Sequence, residues 1–204
     1  MNICLLGDSI LDNAVYTNGE PAVTEHLNRL LGETGKATLL AVDGSVTAQV
    51  NRQIQRLPPE ATHVILSSGG NDALTHQDLL KQPARSVAQA LLLFAEPLQA
   101  LEADYRRVLE NLRETGLPGV CCTIYNGWMD EPVRSVVPLA LRLFNDVIVS
   151  LALEYGFRVL DLRRVCTEAT DYANPIEPSG SGGEKIARAI LRTLSVEFSE
   201  RKSG

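Results

Sequence analysis

The chain of 204 residues and 22.2 kDa is 45% hydrophobic and 22% charged, the usage of an ordinary globular domain. Nineteen Lys and Arg against 25 Asp and Glu leave a net charge of −6 and a pI near 5.1, the reverse of the basic footprint that selects nucleic acid, so no nucleic-acid partner is expected. No uninterrupted apolar run reaches the ~18 residues of a membrane span, and the opening residues lack the pattern of a secretory signal, which makes a cytoplasmic location the expectation.

From the N-terminus, residues 2–6 form a short apolar run that stops at Gly7, the pattern of a strand entering a turn. Residues 21–31 have helical spacing, 37–41 are apolar again, and 47–55 return to a helical pattern. A third strand is predicted at 63–67, followed by a long helical region, 83–114, that Pro97 is expected to divide. Residues 119–124 and 158–160 complete five strands, with helices predicted over 132–155 and 182–198. Cys4, Cys121, Cys122 and Cys166 lie in or just after such runs without Cys-x-x-Cys spacing, the usage of buried thiols. Strands that alternate with helices and are apolar along nearly their whole length call for a parallel sheet covered on both faces. One domain over 1–198 and a polar tail at 199–204 account for the chain. The apolar runs 91–94 and 136–139 are assigned to helix core, with the wall of an acyl site as the alternative.

In such a sheet the working residues collect beyond the carboxyl ends of the strands. Four of those ends carry Gly7-Asp8-Ser9, Asp43-Gly44-Ser45, Gly69-Gly70-Asn71-Asp72 and Tyr125-Asn126-Gly127-Trp128. Ser9 follows the first strand directly, where a hydroxyl has the exposure a nucleophile needs. Its own N–H, the N–H of Gly44 and the side-chain amide of Asn71 would supply three donors to a developing oxyanion. Taken singly, Ser9, Gly44 and Asn71 are also ordinary turn and capping residues.

Together, Gly7-Asp8-Ser9-Ile10 near the N-terminus, Gly44, and Gly70-Asn71-Asp72 resemble the first three blocks of the SGNH hydrolases, also called the GDSL esterase/lipase family. The resemblance implies a flavodoxin-like three-layer α/β/α sandwich whose five parallel strands run in the order 2-1-3-4-5. It further implies a hydrolase of an ester or related acyl group on a small-molecule substrate, with Ser9 as nucleophile and Ser9, Gly44 and Asn71 as oxyanion donors. Neither a metal nor an organic cofactor is implied. Asp8, Asp72, His76 and Trp128 are expected beside the substrate. No feature of the sequence indicates an oligomeric state.

The fourth block of that family is Asp-x-x-His-Pro-Asn, then a Gly and an Ile-Ala that opens the last helix. Here the matching stretch is Asn174-Pro175-Ile176-Glu177-Pro178-Ser179, with Gly182 and Ile186-Ala187 at the matching distances. The family's Asp therefore falls on Asn174 and its His on Glu177, while His26, His63 and His76 lie elsewhere. Three arrangements remain open. In one, Glu177 is the base and the Asn174 amide donates to it, since a carboxylate has only acceptors and needs a donor to orient it. Burial by Ile176, Pro178 and Trp128 would then have to raise Glu177 from ~4.3 toward ~6–7. In the second, His76 swings over the site from its loop. In the third, the domain binds an acyl or sugar-like ligand without cleaving it. His63 is expected to be structural and His26 to sit on the polar side of its helix.

Overall fold

Strands β1 (Asn2–Gly7), β2 (Lys36–Leu39), β3 (His63–Ser67), β4 (Gly119–Cys122) and β5 (Arg158–Leu160) pair in parallel, in the order β2-β1-β3-β4-β5. They are seen in a computed structural model that describes residues 1–200. The order is the flavodoxin-like one expected from the sequence. Among the described residues seven α-helices connect and cover the strands: α1 (Val23–Leu31), α2 (Val50–Ile54), α3 (Gly70–Thr75), α4 (Val87–Leu92), α5 (Ala95–Glu114), α6 (Val133–Glu154) and α7 (Gly180–Glu200).

Successive strand residues point to opposite faces, so each strand feeds two cores. On one face Ile3 and Leu5 meet Val23 and Leu27 of α1 and Ile186 and Ile190 of α7. On the other, Cys4 and Leu6 meet Leu101 and Tyr105 of α5 and Ile148 of α6. Each fully buried aliphatic side chain contributes about 1.5–3 kcal/mol. Cys4, Cys121, Cys122 and Cys166 are all buried free thiols within these layers.

The boundaries move for identifiable reasons. Leu40 and Ala41 both donate to the Leu5 carbonyl, at 2.9 and 2.7 Å, so the chain leaves the β2 ladder at Leu39 rather than at 41. β4 stops at Cys122 because the side chain of Asn145 takes over: its Oδ1 accepts from Ile124 N at 2.7 Å. Pro97 does not break the long helical region. The division falls at residues 93–94, and Pro97 sits in the first turn of α5, where a missing N–H leaves no bond unmade. His26 is buried, not on a polar face, and its Nε2 lies 3.0 Å from the Gly180 carbonyl oxygen. Residues 199 and 200, expected in the tail, are helical; residues 201–204 lie outside the described residues.

The expectation that no segment matches a membrane span needs correction at α6. Its 22 residues are long and apolar enough to cross a membrane by length and composition, an 18-residue stretch of them having a mean hydropathy of 1.8. Scattered polar residues interrupt every run, but the apolar majority keeps the average high. Its second half nevertheless buries Phe144, Ile148 and Leu151 in the core.

Candidate active site

The site is built on the tip of β1. Gly7 has φ +127°, and a Cβ there would collide with the Ser67 carbonyl of the neighbouring β3, so only glycine permits this close pairing of the two strand ends. The buried Gln53 of α2 clamps both backbone groups of Gly7: its Oε1 accepts from Gly7 N at 2.7 Å and its Nε2 donates to Gly7 O at 2.8 Å. Beyond the strand, Asp8 O accepts from Leu11 N and Asp12 N at 3.1 Å, and Asp8 Oδ1 accepts from Ile10 N at 3.2 Å. This tight turn holds Ser9 with its Oγ donating to Glu177 Oε1 at 3.0 Å.

Glu177 reaches Ser9 because three contacts fix its loop. Tyr125 Oη donates to the Ile176 carbonyl at 2.7 Å, Trp128 N donates to the Pro175 carbonyl at 2.8 Å, and Asn13 Nδ2 donates to the Pro178 carbonyl at 3.2 Å. The expected hydrogen bond from Asn174 to the Glu177 carboxylate is absent. Asn174 Oδ1 instead accepts from Ile176 N at 2.9 Å and Glu177 N at 3.0 Å. An Asn two and three residues ahead of free N–H groups closes this local turn in preference to a distant contact. Glu177 Oε2 is left buried with no hydrogen-bond partner.

On the loops beyond β1, β2 and β3 three donors remain unspent. Among the described residues, neither Ser9 N nor Gly44 N enters a hydrogen bond within the protein, and Asn71 commits one amide hydrogen, to Ser45 O at 2.9 Å. That bond draws the Gly44–Ser45 loop against Asn71. Gly44, with φ +76°, nevertheless lines an adjoining depression with Arg52 and Arg56 rather than the cavity that holds Ser9. Asp72 is occupied by Thr47, whose N and Oγ1 donate to Asp72 Oδ2 at 3.0 and 2.9 Å, so it ties two loops together.

Ser9, Asn71 and Glu177 line one cavity of about 390 Å³. His76 also lies on its wall, exposed and at the end of α3, but it does not hydrogen-bond to Ser9. Trp128 stands outside. Its ring lies under the Arg134 guanidinium, 4.3 Å away, and faces a second depression with Arg163 and Thr167, so it does not enclose Glu177. The 136–139 run is a further correction, for Val136 and Leu139 are 42% and 60% exposed and Val136 and Val137 line the cavity. The 91–94 run is split: Leu91 and Leu92 are 56% and 71% exposed on α4, while Phe94 is half-buried against the core.

Burial sets the electrostatics. It pushes Glu177 up to about 7, opposed by the Ser9 hydrogen bond and helped by Asp43. It pushes the wholly enclosed Asp8 up to about 8, against the pull of the Ile10 N–H and with help from Glu177 and Asp72. Among the described residues no group of three or more His, Cys, Asp or Glu is arranged to hold a metal.

Sequence reasoning missed Gln53, Asn13, Tyr125 and Thr47. A polar residue on the stripe that Val50 and Ile54 make on α2 was the available signal for Gln53. The other three gave none, because their partners lie 10 to 165 residues away or, for Tyr125, 51.

The strand order and the serine at the tip of the first strand define a flavodoxin-like α/β/α domain with its site at the carboxyl edge of the sheet. The chain belongs to the GDSL-like Lipase/Acylhydrolase family, whose profile matches residues 5–182. Among solved structures it is similar to an extracellular lipase from Streptomyces rimosus, with a TM-score of 0.68 and 18% identity over 95% of this chain and 99% of that one. It is similar to a phospholipase A1 from Streptomyces albidoflavus, with a TM-score of 0.69 and 18% identity over 94% and 98%. An acetyl xylan esterase from Geobacillus stearothermophilus gives a TM-score of 0.66 and 17% identity over 94% of each chain. Identities this low carry the fold alone. No curated protein matches the chain.

Proposed function

We propose that this protein hydrolyses an acyl ester through a Ser9–Glu177 pair in which the glutamate replaces the customary histidine. The observation that carries the proposal is the 3.0 Å hydrogen bond from Ser9 Oγ to a Glu177 carboxylate that burial pushes up to about 7. A base of that strength is half ionised near neutral pH and can both take and return a proton.

Ser9 Oγ attacks the acyl carbonyl while its proton passes to Glu177. The oxyanion of the tetrahedral intermediate is met by Ser9 N–H and the uncommitted Asn71 amide hydrogen, which border the same cavity. Glu177 then gives its proton to the departing alkoxide, leaving an acyl-Ser9 ester. In the second half Glu177 takes a proton from water, the hydroxyl attacks the ester, and collapse returns the proton to Ser9 Oγ and frees the acid. Burial accounts for the base's strength, and the unpartnered Glu177 Oε2 preserves it, since a donor there would favour the ionised carboxylate. Proteins of the same fold include a lipase, a phospholipase A1 and an acetyl xylan esterase, so the fold by itself leaves the acyl group open.

Kinetics on a short aryl ester test the pair. Ser9→Ala and Glu177→Gln should each lower kcat by roughly 10⁴ or more, and the double variant should lose little further, because the two act as one unit. In the wild type kcat/KM should rise with pH through about 7 as Glu177 ionises. Retained activity in Glu177→Gln with loss in His76→Ala would transfer the base role to His76. Full activity in Ser9→Ala would end the hydrolase proposal.

A further inference from the structure

α6 carries one apolar stripe, whose lower half is closed into the core while its upper half borders an open cavity. Phe144, Ile148 and Leu151 close into the core between the sheet and α5. Continuing the same helical spacing toward the N-terminus, Leu141, Ala140, Val137, Val136 and Val133 face the cavity of about 390 Å³ that holds Ser9 and Glu177. Val133 and Val136 remain 46% and 42% exposed. Leu74 and Leu80, 37% and 38% exposed, stand on the opposite wall. An apolar stripe kept wet beside a nucleophile is unfavourable until something apolar covers it.

We infer that the upper stripe of α6 is the seat of an unbranched aliphatic acyl chain of medium length, with Val136 and Ala140 governing which chains fit. The inference deepens the hydrolase reading and rests on it. The cavity opens directly on Ser9, so a chain attached to the attacked carbonyl enters it without leaving the reacting atoms. With roughly 30 Å³ for each water-sized group, the cavity holds on the order of a dozen chain atoms, so hexanoyl to decanoyl groups fill it and acetyl leaves it nearly empty. The α6 wall of Val133, Val136, Val137, Ala140 and Leu141 offers a chain no side-chain hydrogen bond, which disfavours acyl groups hydroxylated along that face.

A series of aryl esters sharing one leaving group, from acetyl to dodecanoyl and kept below micelle formation, tests this. For the wild type kcat/KM should rise by about fourfold per methylene and level off past decanoyl, the gain expected as each methylene leaves water. Val136→Trp and Ala140→Phe fill the seat and should bring the octanoyl-to-acetyl ratio down to near one. Leu153→Trp, on an exposed part of α6 away from the cavity, should leave that ratio as it was. A wild-type preference for acetyl, or a ratio untouched by Val136→Trp in a folded variant, overturns the inference. Should the wild type cleave no ester at all, the hydrolase reading fails by itself, and calorimetry of methyl octanoate decides the seat separately. Binding to Ser9→Ala that disappears on adding Val136→Trp supports the seat; no binding to Ser9→Ala overturns it.

Discussion

Glu177 and Asp8 are each held in a place that favours their uncharged forms. Burial raises them to about 7 and about 8, so between the ordinary carboxyl values and these the folded chain binds more protons than the unfolded one. Stability therefore falls as pH rises through that window, and the contribution is fully favourable only below it. Glu177→Gln removes one such group and should raise Tm by roughly 3–10 °C at about pH 8, from about 1–3 kcal/mol, with the difference vanishing at about pH 4. Scanning calorimetry at the two pH values checks the sign; a lower Tm for the variant at the higher pH would remove burial as the source of the base's strength. The same substitution that stabilises the fold abolishes the proposed chemistry, the trade expected where a working group is kept in an unfavourable state.

Asn13 works at the scale of elements, joining the start of α1 to the loop that presents Glu177. Fully buried, it accepts from Val23 N at 3.0 Å and donates to the Pro178 carbonyl. Asn13→Ala leaves both partners unpaired and should cost roughly 2–4 kcal/mol in urea unfolding. Because Pro178 follows Glu177, kcat should also fall by at least tenfold. Asn28→Ala provides the contrast: Asn28 bonds both backbone groups of Ala37 at the β2 edge, so its loss should cost stability and leave kcat alone. Equal effects on kcat from the two variants would reduce Asn13 to an ordinary structural residue.

Over the whole molecule, the division between what was legible and what was not follows the range of the interactions. Apolar runs ending on Gly, Asp and Ser, with helical spacing between them, determined the five strands, their parallel pairing and the loops that carry Ser9, Gly44, Asn71 and Glu177, because these depend on local pattern and on the few topologies a parallel sheet allows. Glu177 stands 3.0 Å from the Ser9 hydroxyl at the β1 tip, on a loop held by Tyr125, Trp128 and Asn13. The partners were not legible. Whether Asn174 donates across space or closes its own turn, and whether Trp128 faces Glu177 or Arg134, depends on side-chain directions that residue identity leaves free. The apolar residues of α6 show the same limit. Phe144 and Val136 lie on one stripe and read alike in sequence, and only the packed structure decides that the first is core and the second borders an open cavity, since burial belongs to the surroundings of a side chain.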